Sequence, residues 1–199
     1  MKSISVLTVA SIFIFFSEAT ARPKVELYYE TLCPYSRDFF LDQLQPTIRS
    51  LSGYADVEVI PFGNVKVTTG PDGIPLFTCQ HGANECYGNR VQTCVIDLLA
   101  QTNSKKNAST AAAALDYIGC MFADSNWKDT FTTAQQCVTA AGLEWSTVAS
   151  CNDGQRGFEL IKAAWKRTEA LVPKHNYVPW IVINGVHTEE LQEAAQSNL

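Results

Sequence analysis

Six of the seven cysteines, Cys79, Cys86, Cys94, Cys120, Cys137 and Cys151, fall within one stretch, while Cys33 stands alone 46 positions upstream of them. In an oxidising compartment such a count pairs six sulfurs as structural disulfides and leaves one free thiol. The first residues point to that compartment. Lys2 precedes a mostly apolar run over residues 4–16, and Ala19 and Ala21 follow in "EATARP", the charge, core and small-residue order of a signal peptide. We therefore expect residues 1–21 to be removed, leaving residues 22–199 as a single domain of the secretory pathway, secreted or lysosomal. The apolar run is shorter than the ~18 residues of a membrane span, and no later stretch reaches that length. A net charge of −5 argues against nucleic acid as a partner. Asn107, in the polar loop "QTNSKKNAST", is the one glycosylation sequon.

The hydrophobic pattern changes period twice along the chain. In "KVELYYE", Val25, Leu27 and Tyr29 alternate with Glu26 and Glu30, as in a half-buried strand. From Ser36 the spacing becomes helical, with Phe40, Leu44, Ile48 and Leu51 on one stripe and a kink expected at Pro46. "ADVEVIPFG" reads as a second strand entering a turn at Gly63-Asn64, so the chain begins β-α-β and its strands should be parallel. From about residue 64 to 172 the texture is that of a helical insertion. "TTGPDGIP" reads as loop, and helices are predicted over 91–100, 110–122, 127–141 and 158–171. All six clustered cysteines lie in this insertion. In "VPWIVINGVHTEEL" an apolar strand meets Asn184-Gly185, a strong hairpin signal, followed by a short strand over 186–188 and a helix over 188–196. Without the insertion the order is that of a thioredoxin-like domain, an α/β fold carrying a disulfide-stapled helical insertion.

Cys33 sits where the first strand turns into the first helix. Pro34 then takes the first helical position, where its missing N–H costs nothing. The unpaired N–H groups of a first turn, with the helix dipole, favour an anion, which is one route to a nucleophilic thiolate. Ser36 occupies the place of a second thiol in a Cys-x-x-Cys pair. Its hydroxyl can donate toward a Cys33 thiolate, but it cannot attack a mixed disulfide. Cys33 could thus open a substrate disulfide and would need an outside thiol for release. The motif fits a buried, inert cysteine equally well. Val178-Pro179 precedes a strand, a place where a cis bond is affordable and a trans one common. Thioredoxin-like domains set such a cis proline beside the redox cysteine, and the element order favours cis here.

The stretch "CQHGANECYGNRVQTC" resembles the signature of the gamma-interferon-inducible lysosomal thiol reductase family, with Cys79, Gln80, His81, Gly82, Glu85, Cys86, Asn89 and Cys94 in register. "YYETLCPYS" and "YVPWIVING" resemble family segments as well. The resemblance implies reduction of disulfide-containing protein substrates at acid pH, with no cofactor beyond an external small thiol as reductant. By position it makes Cys33 the attacking cysteine and Pro179 the substrate-side proline, with Ser36 completing the site. Pro34, Tyr35 and Val178 are then assigned to substrate contact. Ser36 departs from the pattern, standing where the reductases carry their second cysteine. The rival function is a secreted binding protein that holds partners in the groove without turnover. Cys79, His81 and Cys86 could suggest zinc, but the spacing lacks a close Cys pair and an oxidising compartment favours disulfides, so no metal is expected. His81 is read as a structural hydrogen-bonder, Gly82 and Asn89 as turn residues, and Trp127, Trp145 and Trp165 as helix-core residues.

Overall fold

A computed structural model describes residues 22–51, 53–103 and 109–199. The leader at 1–21 and the sequon at Asn107 lie outside the described residues. Strand β1 (Lys24–Tyr29) is the middle of a three-stranded sheet of order β2-β1-β5. It pairs in parallel with β2 (Asp56–Pro61) and antiparallel with β5 (Trp180–Ile183). The alternation of β1 assigns its two faces. Val25, Leu27 and Tyr29 enter one core cluster with Phe40, Leu44, Ile118 and Phe122, while Tyr28 enters a second with Ile60, Phe62, Ile161 and Trp180. Both faces are covered, as parallel pairing requires.

Helix α1 (Pro34–Phe39) follows Cys33 directly, and α2 (Gln45–Ser50) follows a π-helical turn over Phe40–Leu44. The kink expected at Pro46 takes this form. Proline offers no N–H to the carbonyl four residues back, and just before it the Gln45 N–H reaches five residues back to Phe40 O. The stripe buries Phe40 and Leu44 fully, but Leu51 lies beyond the helix and is exposed.

The segment read as loop, residues 68–75, forms the turn of a hairpin whose strands β3 (Lys66–Thr69) and β4 (Pro75–Thr78) were not anticipated. The Gly70 N–H donates to Ile74 O, and Asp72 Oδ1 accepts from the Ile74 N–H, closing the turn. Both strands are short and half exposed, so little hydrophobic alternation marked them. Helix α3 (Ala83–Asn103) begins eight residues before its predicted start at 91 and takes in Glu85, Cys86 and Asn89. Then come α4 (Ser109–Ala123), α5 (Thr130–Val138), α6 (Trp145–Asp153), which was not anticipated, and α7 (Gln155–Glu169). Trp127 lies in the turn before α5, where Asp129 caps the helix by accepting from the Thr132 N–H. It packs against the first core cluster with Trp145, while Trp165 packs against the second.

The six clustered cysteines pair as Cys79–Cys86, Cys94–Cys151 and Cys120–Cys137. The first joins the end of the hairpin to α3, the second joins α3 to α6, and the third joins α4 to α5. The zinc reading of Cys79 and Cys86 is thereby removed.

At the C-terminal end Asn184 and Gly185 both take positive φ, the turn their sequence demands, but the expected strand over 186–188 shrinks to one bridge between Ile183 and Val186. His187 turns inward to stack on Trp180, its Nδ1–H donating to Ile181 O. Thr188 then caps α8 (Glu189–Asn198) by accepting from the Leu191 N–H. The helix-start signal prevails because only two residues, Val186 and His187, separate the turn from its cap.

Candidate active site

Cys33 is the N-cap residue of α1, with extended backbone (φ −75°, ψ 119°) and Pro34 next. Its carbonyl accepts from the Arg37 N–H at 3.0 Å, and Arg37 Nε reaches Phe122 O at 2.7 Å, which ties α1 to the end of α4. Among the described residues Cys33 is the one cysteine outside a disulfide, and it is only 6% exposed. Its Sγ contacts Val178 O at 3.7 Å across 145 residues of sequence. The Val178–Pro179 bond is cis. Gln192, buried on α8, holds this segment from behind: its amide donates to Pro179 O and its Oε1 accepts from the Ile181 N–H.

The structure thus brings Cys33, Val178 and Pro179 together. Pro34 and Tyr35 stand outward beside them, Tyr35 being 74% exposed. Ser36 lies one helical turn on, inside the protein. It is fully buried and its Oγ makes no hydrogen bond, so the expected donation toward Cys33 is not made. A groove of about 590 Å³ opens next to Cys33, lined by Leu32, Pro34, His81, Ala83, Asn84 and Lys128.

The signature segment builds the wall of this site. Asn89 was expected at a turn but is buried inside α3, where its Oδ1 accepts from the Thr31 N–H at 3.0 Å, and Thr31 Oγ1 donates to Glu85 O. A Cβ at Gly88 would stand 2.7 Å from Thr31 Oγ1 and 2.9 Å from Thr130 Cγ2, so glycine lets the Cys33 loop lie against α3. Gly82 takes φ +87° at the turn leading into the helix. His81 is a hydrogen-bonder, as read: its N–H donates to Glu85 Oε1 at 3.0 Å, and its Nδ1 lies 2.5 Å from Glu85 Oε2.

Glu30, three residues before Cys33, joins this group unannounced. It is fully buried, its Oε1 accepts from the Asn64 N–H, and its Oε2 lies 3.6 Å from His81 Nδ1. Burial, with the Glu85 carboxylate beside it, pushes the Glu30 carboxyl up to about 7. The available signal was an acid directly after the strand, between Tyr29 and the Cys33 turn.

The sequence pattern of the gamma interferon inducible lysosomal thiol reductase family matches residues 24–141. The thiol reductase of that name from the goldfish Carassius auratus is 38% identical over 177 residues, which make up 88% of this chain and 64% of the relative. A gamma-interferon-inducible lysosomal thiol reductase-like protein of Anopheles gambiae is 29% identical over 96% of this chain and 80% of its own length. Among solved structures, Chlamydia trachomatis DsbA superposes with a TM-score of 0.58 at 12% identity, covering 98% of this chain and 96% of that one. DsbA of Xylella fastidiosa gives 0.51 at 14% identity, over 89% and 82%. These two likenesses establish the thioredoxin-like, DsbA-like fold. The free cysteine at a helix start, the signature segment walling it and the match over more than half the chain agree, and the chain belongs to the gamma-interferon-inducible lysosomal thiol reductase family.

Proposed function

We propose that the protein is a thiol–disulfide oxidoreductase whose nucleophile is Cys33. The observation that carries this reading is the one unpaired sulfur, placed at a helix N-cap and against the Val178 carbonyl, with a groove at its side. Cys33 Sγ, as thiolate, attacks one sulfur of a substrate protein disulfide. A Cys33–substrate disulfide forms, and the other substrate sulfur leaves and takes a proton. With serine at position 36 and the remaining cysteines in bridges, no second thiol in the site can break that bond. A small external thiol does so. Two such molecules per substrate disulfide leave two substrate thiols, one small-molecule disulfide and free Cys33. The exchange is between sulfurs and uses no prosthetic group. Pro34, Tyr35 and Val178 contact the substrate in this scheme, and Pro179 holds the carbonyl of Val178 at the thiol.

The same proposal places the chain in the secretory pathway, in lysosomes or outside the cell. Residues 1–21 act there as a removable leader, residues 22–199 as one domain and Asn107 as a glycosylation site. None of the described helices is long and apolar enough to cross a membrane.

A second reading, a binding protein that holds partners without turnover, is favoured by Ser36 alone. Insulin disulfide reduction at acid and neutral pH, with and without excess small thiol, separates the two. Wild type is expected to accumulate a mixed disulfide and to be strongly accelerated by added thiol. Cys33→Ser should lose both adduct and activity. Ser36→Cys should release product unaided, because a well-placed intramolecular thiol can act at effective molarities of about 10⁵ M or more. Identical behaviour of wild type and Cys33→Ser would leave the binding reading standing.

A further inference from the structure

Glu30, His81 and Glu85 come from three places in the fold: the end of β1, the turn after the hairpin, and the first turn of α3. One ligand-type atom from each lies within 4.8 Å of the other two. Both carboxylates are fully buried, whereas the His81 side chain is about one-third exposed and lines the groove beside Pro34 and Lys128. In each carboxylate one oxygen is held by a backbone N–H, Asn64 on Glu30 Oε1 and His81 on Glu85 Oε1. The second oxygen of each turns inward to the imidazole. Glu30 Oε2 is buried without any hydrogen-bond partner. Gly63 makes room for it, since a Cβ there would collide with the Glu30 side chain. Two buried carboxylate oxygens converging on one imidazole nitrogen form a donor set short of positive charge.

We propose that Glu30, His81 and Glu85 are a binding site for one divalent cation of the zinc class. Two oxygens and one imidazole nitrogen suit a borderline ion, and the set contains no thiolate because Cys79 and Cys86 are bridged to each other. Donors on a tetrahedral zinc, with bonds of about 2.0–2.1 Å, stand about 3.3 Å apart. The 3.6 Å from His81 Nδ1 to Glu30 Oε2 is near that value. The 2.5 Å to Glu85 Oε2 is a hydrogen bond, which the imidazole exchanges for coordination by moving less than about 1 Å. The backbone N–H groups on the outer oxygens are the supporting contacts that orient metal-binding carboxylates. The groove supplies water to the remaining positions. An ion here would tie the strand leading to Cys33 to the start of α3.

The test is calorimetric titration of zinc chloride into the EDTA-treated full chain at pH 7.5, with its disulfides intact. One saturable site per chain is expected. Glu30→Gln and Glu85→Gln should each weaken it by at least about 100-fold. The amide oxygen of either glutamine can still accept the backbone N–H, and near-UV circular dichroism checks that the variants are folded. Cys33→Ser should bind zinc as wild type does. Cobalt(II) in place of zinc should give visible d–d bands without a sulfur charge-transfer band. Absence of a saturable site, unchanged affinity in both glutamine variants, or a charge-transfer band lost in Cys33→Ser would each overturn the proposal. The readouts are binding and spectra, so they stand apart from the reductase reading.

Discussion

The sheet with α1, α2 and α8 holds a single cysteine and no disulfide, whereas the hairpin and helices between β2 and β5 hold six cysteines in three bridges. The first region is built by strand pairing around β1, buried on both faces, and can leave its sulfur uncommitted. The second is mostly a run of helices, and its sulfurs tie α3 to α6 and α4 to α5. A free thiol and three bridges can coexist because they lie in different parts of the fold. Phe122 of α4 packs edge-on against Tyr29 of β1 and Phe40 of the π turn, so both regions share one core.

The largest expected effect tests that shared core through the staples. Cys94–Cys151 closes 57 residues, and removing it as Cys94→Ser with Cys151→Ser should cost about 4 kcal/mol on the loop-entropy scale. For a chain of this size that is a fall of roughly 8–16 °C in Tm. Scanning calorimetry should still show one transition. Two transitions, with the sheet melting apart from the helices, would make the insertion a separate domain.

A smaller effect is expected at one buried polar contact between the two regions. Tyr29 OH on β1 donates to Gln92 Oε1 on α3, and both side chains are fully buried. The Gln92 amide is occupied by Met121 Sδ. Tyr29→Phe leaves the Gln92 oxygen without a donor and should cost about 1–3 kcal/mol in urea unfolding. Adding Gln92→Leu removes the orphaned group and should recover part of that loss. If the double variant is less stable than the sum of its parts, the contact does not help join the regions.

The legibility of the two regions in sequence differed for the same physical reason. The sheet was readable because apolar and charged residues alternate over the first half of β1, and because Pro34, Asn184-Gly185 and Thr188 each have one conformational use. Helix α6 was missed because Val148 and Asn152 are its buried residues, too few to make a stripe. The β3–β4 hairpin was missed because its strands are half exposed. At the site, Cys33 and Val178-Pro179 were legible from local chemistry. Glu30, Thr31 and Gly88 were not, since Asn64 lies 34 positions from Glu30, while Glu85, Gly88 and Asn89 lie 54 to 58 from Thr31, and only the fold unites them. Asn89 was misplaced at a turn for the same reason: its partner is a backbone N–H on another element.

The smallest expected effect concerns charges that bridge the regions on the surface. Arg167 of α7 reaches Glu26 of β1 at 2.7 Å and Glu58 of β2 at 2.5 Å, and Lys24 lies 3.4 and 3.3 Å from the same two carboxylates. Burial alone would raise the Glu58 carboxyl, but the hydrogen bond and charge of Arg167, with Lys24, hold it below its ordinary value near 4.5. A carboxyl depressed in the folded state gives stability that is present above the unfolded value and lost as pH falls through the folded one. Arg167→Gln should therefore lower urea stability at pH 6 and converge with wild type near pH 3. Glu58 is 43% exposed, so solvent screening keeps the difference under about 1 kcal/mol, and added salt should shrink it further. A gap of equal size at both pH values would assign the loss to the packing of the arginine stem rather than its charge, and the two regions would then be joined here by apolar contact alone.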